Sequence, residues 1–276
     1  PDSIVDEILW LKKSETIKTV HFVDDVFTVD KKWTLKFSDI YAKRCGIPFS
    51  INARFDHFDE EIVSSLAKAG LCLVYAGVEA GNEYIRNTVM ERQQSLEKIY
   101  YTGNLFKKYG IKLITENVLG NPGETFEMVM ETLEVNMKLK PTYADASIFA
   151  PYPGLKMTRY AIDNGYFDGN FDRLDATFFE SSVLKFNNER DERKIYNLRC
   201  FFSLVPHHPW LMRFIKPLLN LPFKRLFWSI GKIIDGYYLR KGLAYKQKPM
   251  EFITSVIHYC TNYRYSNKPT THNLNR

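Results

Sequence analysis

The chain has 276 residues, 45% of them hydrophobic and 25% charged, with four cysteines and a formal net charge of +6. That size and apolar content suit one large domain or two small ones with a real core, and they exclude a disordered or fibrous chain. No run approaches the roughly 18 consecutive apolar residues of a membrane span and no secretory leader pattern opens the sequence, so a cytoplasmic enzyme is the default expectation. Charge is divided unevenly. Residues 1–198 hold 25 Lys and Arg against 30 Asp and Glu, whereas residues 199–276 hold 13 against 2. The excess base therefore belongs to the C-terminal segment, where it points either to an anionic partner (membrane surface, phosphorylated substrate or nucleic acid) or to ordinary solvated surface.

In chain order, "PDSIVDEILWLKK" reads as a helix start, with Pro1, Asp2 and Ser3 ahead of Ile4, Ile8 and Leu11. Five short apolar runs follow, at 19–23, 47–52, 71–78, 111–119 and 144–151. Each is partly β-branched or aromatic and is bounded by charge, Gly or Pro, so each predicts a buried strand. Helical spacing predicts helices at about 33–43, 59–69, 82–108 and 124–139. A strand followed by a helix, repeated every 25 to 40 residues, implies βα units around a parallel sheet, as a partial barrel or an open doubly wound sheet. From about Tyr166 the pattern changes: one strand-like patch, then basic and large apolar residues interleaved around Pro209, Pro217 and Pro222. This predicts a helical C-terminal region, 166–276, beside a core of residues 1–165. Its Trp, Phe, Lys and Arg content would suit either packing against the core or an interfacial helix, and "NKPTTHNLNR" reads as a loose end.

Ligands of parallel βα sheets sit at the carboxyl ends of the strands, so the polar residues ending each apolar run are the informative ones. They are Asp24 and Asp25, then Asn52 and Arg54, then Glu79, then Glu116 and Asn117 with "GNPGET", and last "PYPG" at 151–154. Singly, each has a structural explanation: a cap, an Arg54 pair with Asp56 or Glu79, an internal salt bridge at Glu116. Buried charges at several consecutive strand ends are costly unless paired or ligand-bound, and together they favour a charged pocket. Glu124 and Thr125 are turn-and-cap residues, and Gly120 would let a flat ligand approach the backbone. Arg86 and Arg92 each offer a guanidinium for a carboxylate, or else a solvated helix face. Since neighbouring strand residues face opposite ways, one of Asp24 and Asp25, Asp25 by preference, is expected to face the site. The cysteines Cys45, Cys72, Cys200 and Cys260 are too scattered for a zinc, redox or disulfide pattern, and Cys72 reads as a reduced core thiol.

The series "HFVDDVFT", "FSINARFD", "AKAGLCLVYAGVEAGNEYIR", "ERQQS", "NVLGNPGET" and "APYPG" resembles the radical S-adenosylmethionine superfamily over about residues 1–168. It is most similar to the branch with an N-terminal cobalamin-binding domain. The resemblance implies a partial (β/α)6 barrel holding S-adenosylmethionine and a 4Fe-4S cluster, with cobalamin bound through an upstream domain. It also implies an external electron donor such as flavodoxin or ferredoxin. By position, Asp24 and Asp25 match groups that meet the methionine ammonium, Asn52 and Arg54 face cofactor or substrate, and Glu79 lies near the ribose or methionine. Arg92 matches the arginine gripping the methionine carboxylate, Glu116 and Asn117 resemble ribose contacts, and Gly120 lies near adenine. One departure is plain: the sequence has no CxxxCxxC, the motif that holds the cluster. The expectation is an N-terminally truncated fragment whose first strand and cluster loop lie upstream of Pro1, inactive alone, from an enzyme of radical methyl transfer or a related C–C or C–H reaction. A cluster-less barrel that only binds S-adenosylmethionine or a partner, and a divalent-metal hydrolase using Asp24, Asp25, Glu79 and Glu116, stand as alternatives. The expected substrate is a small molecule or a lipid-linked one. No nucleic-acid partner is expected, peripheral membrane contact is left open, and the basic, aromatic segment 199–248 points to a large hydrophobic or anionic substrate, such as a lipid-linked or phosphorylated one.

Overall fold

The computed structural model describes residues 1–174, 182–186 and 188–245, together with positions 250 and 254. Its centre is a sheet of five parallel strands in simple sequence order: β1 (Val20–Phe22), β2 (Phe49–Ala53), β3 (Leu71–Glu79), β4 (Lys112–Leu119) and β5 (Tyr143–Ile148). Each expected strand is present, shifted by a few residues at most. Helices α1 (Asp2–Ser14), α2 (Lys31–Arg44), α3 (Glu60–Ala69), α4 (Leu96–Lys108) and α5 (Phe126–Leu139) precede or join the strands. After β5 come α6 (Lys156–Asp163), α7 (Glu189–Arg199), α8 (Met212–Leu218) and α9 (Lys224–Gly242). Unreversed strand order with helical crossovers is the topology of a barrel sector, not of a doubly wound sheet. Of the expected strand-like patch in the C-terminal region, residues 182–186 are not a strand and 175–181 and 187 lie outside the described residues, as does "NKPTTHNLNR".

Local chemistry sets the helix starts. Asp30, Asp59, Ser95 and Thr125 each accept a hydrogen bond from the backbone N–H three residues on, satisfying a donor that the first turn leaves open. The helix expected over 82–108 is broken in two. A single π-helical turn, Tyr84–Val89, ends in a loop where Glu91 and Gln93 adopt left-handed backbone, and Ser95 then starts α4 afresh. Helical periodicity could not show the break, because buried residues flank it on both sides.

The two faces of the sheet differ. Ile51, Val74, Ala76 and Leu113 pack on the inter-strand helices in the main core, with Phe22, Phe37, Tyr41 and Phe49 in edge-to-face or tilted aromatic contacts. The opposite face carries Asn52, Tyr75, Ile114, Glu116 and Asp145, which follow one another through the strand register. Its lower half is covered by the C-terminal helices. Tyr238 of α9 packs with Leu73, Ile114 and Tyr143, and Lys112 Nζ donates to the carbonyls of Lys241 and Leu243. A buried pair secures this cover: Arg199 of α7 donates to the Ala146 carbonyl of β5 and pairs with Asp235 of α9, which also accepts from Ser203. Burial pushes the Asp235 carboxyl up, and Arg199 opposes that shift. Among the described residues the upper half of the face is accessible at the strands' carboxyl ends, with Glu116 exposed and Asn52 and Asp145 half-buried.

Gly81 marks how closely the site loop approaches α5. Its N–H donates to Thr132 Oγ1, and a Cβ there would lie 2.4 Å from the Glu131 backbone. Gly81→Ala is therefore expected to cost about 3 kcal/mol or more, read as a lower midpoint in chemical denaturation.

Candidate functional site

The open end of the sheet is organised from within by Arg86. Although charged, it is 1% exposed. Its Nε donates to the Gln94 carbonyl (2.7 Å) and its Nη1 to the carbonyls of Ala80 (2.9 Å) and Gly81 (2.8 Å). One guanidinium thus ties the segment just beyond β3 to the return of the loop, and its fork geometry is what lets it bridge three acceptors. The Arg92 N–H donates to the Arg86 carbonyl, and Gln94 is held by Asn87 Oδ1 and reaches the Gly77 carbonyl. Arg86 is therefore neither a ligand-gripping arginine nor a solvated one, as the sequence reading had offered; it is the internal brace of the loop.

The brace places Arg92 over the end of β3, where its guanidinium meets Glu79 Oε1 at 2.5 Å. Glu79 follows a bulge, opposite Asn117, and has left-handed backbone with φ of 64°. Its carboxylate folds back over Gly77, where any Cβ would collide with it. Glu79, Glu91 and Gln93 all occupy left-handed backbone, each at a cost of about 1–3 kcal/mol. Such strain gathers where a loop is held by its surroundings. Arg54, at the end of β2, pairs bidentately with Asp56 (3.0 and 2.9 Å) and donates to the Arg92 carbonyl at 2.7 Å. It steadies Arg92 instead of pointing freely at a ligand.

Charge at the opening is unbalanced toward the negative. Burial raises the Glu79 carboxyl, against the pull of Arg92 and Arg54. Glu116 stands opposite Gly77 on one side and Asp145 on the other. Solvent reaches it, yet desolvation by the surrounding protein raises its carboxyl, helped by the charges of Glu79 and Asp145 and opposed by Arg92. Asp145 accepts from the Tyr143 hydroxyl at 2.9 Å. Sequence reasoning missed it because it lies inside a strand, two residues after Tyr143, and not at an apolar run's end. Its in-register position beside Glu116 could be found only once the pairing was known.

The other candidate positions divide. Asn52 is half-buried on the open face, level with Tyr75. Asp24 and Asp25 are both exposed, beyond the end of β1 at Phe22. Strand alternation therefore does not assign one inward and one outward, because the pair lies past the strand. Asn117 does not face the opening: its amide sits in the layer between sheet and α5, donating to the Asp145 carbonyl and accepting from Asn136. Nor is there room for a flat ligand against Gly120, since a Cβ there would already touch Phe186 and Ile195. Thr125, not Glu124, caps α5. Glu124 is 4% exposed, and its Oε2 accepts from the Asn121 backbone and side chain. Its Oε1 and Asn121 Oδ1 have no protein partner, and a cavity of about 10 Å³, the size of one water, lies against both residues.

The chemistry of these groups bears on what could bind. Carboxylates of Glu79, Glu116 and Asp145 beside the Arg92 guanidinium offer opposite charges to a zwitterion, and an added cation would relieve the crowding at Glu116. Those residues fit the amino-acid end of S-adenosylmethionine. A cluster does not fit the described cysteines: Cys45 ends α2, Cys72 donates to the Phe49 carbonyl in the sheet, and Cys200 is buried at the end of α7. Among the described residues no group of three or more His, Cys, Asp or Glu is placed to hold a metal ion, so Asp24, Asp25, Glu79 and Glu116 do not converge as a hydrolase's metal site requires.

Three comparisons with known proteins bear on this arrangement. The family model described as the radical SAM superfamily matches residues 1–135. An "uncharacterized methyltransferase PH0819" from Pyrococcus horikoshii is 29% identical over 167 residues, 59% of this chain and 36% of its own length. An anaerobic magnesium-protoporphyrin IX monomethyl ester cyclase from Rubrivivax gelatinosus is 25% identical over 257 residues, 86% of this chain and 45% of its own. The chain thus spans less than half the length of these curated relatives. Among solved structures, the radical S-adenosylmethionine methyltransferase TsrM from Kitasatospora setae, with cobalamin and a [4Fe-4S] cluster bound, shares the fold. Its TM-score is 0.54 at 16% identity, over 79% of this chain and 55% of that one.

Two outcomes test the geometry. Arg86→Ala leaves three buried carbonyls without their donor and should cost on the order of 3 kcal/mol in denaturant unfolding. Glu124, raised by burial to about 7, holds its proton in the folded protein at pH values where the unfolded chain has lost it. The folded state then binds more protons between about 4.5 and 7, so this group's contribution is full at the acid end and fades as pH rises through 7. Glu124→Gln should flatten that decline in a thermal-stability profile.

Proposed function

Since residues 1–135 belong to the radical S-adenosylmethionine superfamily, we propose that this chain supplies the S-adenosylmethionine-holding face of a cobalamin-dependent radical enzyme. Its reaction is methyl transfer or related C–C or C–H bond chemistry. The observation that carries the reading is Arg92, braced by Arg86 and Arg54 over the end of β3, beside the carboxylates of Glu79, Glu116 and Asp145. Bound S-adenosylmethionine, given one electron by an external donor, would supply the radical chemistry; the protein's part is to position it. Arg92 would grip the methionine carboxylate, releasing Glu79 to accept from the ammonium or ribose. Glu116, with Asp145, would offset the sulfonium charge. Asn52 and Arg54 line the same opening, and Asp24 and Asp25 stand at its edge.

The described cysteines, Cys45, Cys72 and Cys200, do not fit a cluster, so none of them is assigned to one. The similarity to a methyltransferase and to a cyclase supports a carbon-centred reaction, and the fold shared with a cobalamin-bound methyltransferase supports a cobalamin partner. A small or lipid-linked substrate and an external electron donor complete the proposal. The cluster-less binder is the competing reading, favoured by the absence of CxxxCxxC from the sequence.

Calorimetric titration of this chain with S-adenosylmethionine tests the site, and reconstitution of a protein of the relatives' full length tests the chemistry. Arg92→Ala should weaken binding about tenfold or more. Its thermal midpoint should also fall, because Glu79 is largely buried and loses its partner, so binding is compared at a temperature where both proteins are folded. Iron–sulfur absorbance and 5′-deoxyadenosine formation are expected of the reconstituted protein. Unchanged binding by Arg92→Ala removes the site assignment, and absence of both cluster and cleavage products leaves the cluster-less reading.

A further inference from the structure

The C-terminal helices carry an outward surface that the site does not use. On α8 and the turn before it, Trp210, Phe214 and Leu218 recur every four residues and are exposed; on α9, Leu226, Ile233 and Tyr237 form a second exposed stripe. Ile233 is 75% exposed. The buried sides of both helices, through Ile215, Leu219 and Phe227, enter one core cluster, so both stripes point away from the same core. A surface helix ordinarily turns charged and polar residues to solvent. Here large apolar side chains occupy that side.

The segment that carries the stripes is almost wholly basic, with Glu192 of α7 near Lys224 at the start of α9. Residues 206–242 contain seven Lys and Arg and one acid, Asp235. Asp235 is turned inward, paired with Arg199 and accepting from Ser203. Arg213, Lys216, Arg225 and Lys241 meet no carboxylate among the described residues. Two of them lie over rings of the stripes, Arg213 at 4.6 Å from the Phe214 centroid and Lys241 at 4.3 Å from that of Tyr237. An apolar protein-binding core is depleted in lysine, whereas exposed Trp, Phe and Leu interleaved with uncompensated bases match the requirements of an anionic bilayer surface. There the rings enter the acyl boundary and the ammonium and guanidinium groups meet phosphates. No helix among the described residues is long and apolar enough to cross a membrane.

We propose that the outward face of α8 and α9 docks the protein on anionic phospholipid bilayers, a function independent of the S-adenosylmethionine site. Co-sedimentation of the 276-residue chain with vesicles tests it, using phosphatidylcholine alone against phosphatidylcholine with about one-third phosphatidylglycerol. Partitioning at least tenfold stronger onto the anionic vesicles, weakened by added salt, is expected. The double variant Arg225→Gln/Lys241→Gln should lose roughly tenfold to thirtyfold. Phe214→Ser/Ile233→Ser should lose binding at any salt while keeping the wild-type circular dichroism and melting curve, since both side chains are already exposed. Equal partitioning onto both vesicle types, no partitioning, or wild-type binding by either double variant overturns the proposal. So does self-association in sedimentation velocity that Phe214→Ser/Ile233→Ser abolishes without affecting vesicle binding, which would give the face to a second copy of the chain.

Discussion

The site depends on a buried guanidinium. Isolated in a protein interior, the Arg86 charge would be prohibitive; donating to three carbonyls, it becomes the fastening between the end of β3 and the loop that returns over it. The loop is strained, with left-handed backbone at Glu91 and Gln93, and a π-helical turn replaces the regular helix that would have carried Arg92 elsewhere. Arg92 meets Glu79 because Arg86 leaves the loop no freedom to open. Arg54 adds a second restraint, fixed in its turn by Asp56.

Around that fastening the sheet is used twice. One face is ordinary core, where aromatic and branched side chains pack against the crossover helices. The other is divided: below, α9 fills it with Tyr238 against Leu73, Ile114 and Tyr143; above, Glu116, Asp145 and Asn52 remain accessible. Tyr143 belongs to both halves, its ring in the lower cluster and its hydroxyl on Asp145. The C-terminal helices therefore do more than extend the chain. By closing the lower half and clamping β5 through Arg199 and Asp235, they confine the charged groups to the strand ends, where a ligand can reach them. Burial raises the carboxyls of both Glu79 and Glu116, and Arg92 opposes the shift at each.

Much of this was legible from residue order. Short apolar runs ending in polar residues gave five strands in their places and pointed to the carboxyl ends; of the three positions held firmest by resemblance, Glu79 and Arg92 meet while Asp25 is exposed beyond β1. The failures have specific causes. Asn117 was read as site-facing because it follows Glu116 at a strand end, but alternation turns it toward Asn136. Gly120 was read as open backbone, but Phe186, 66 residues later, stacks against it. Arg86 has the same spacing as a solvated helix residue, and only the break in that helix reverses its direction.

By itself the sequence determined the parallel βα architecture, the turn and cap at the start of α5, and the concentration of charge at the strand ends. These follow from interactions between residues close in the chain, or from a periodicity that the chain carries openly. The tertiary structure alone decided which charges meet: Glu116 with Asp145, Arg54 with the Arg92 carbonyl, Arg199 with Asp235. Those contacts join residues about 30 to 40 positions apart across strand registers and packed helices. Their energies depend on burial and distance, which residue order does not specify.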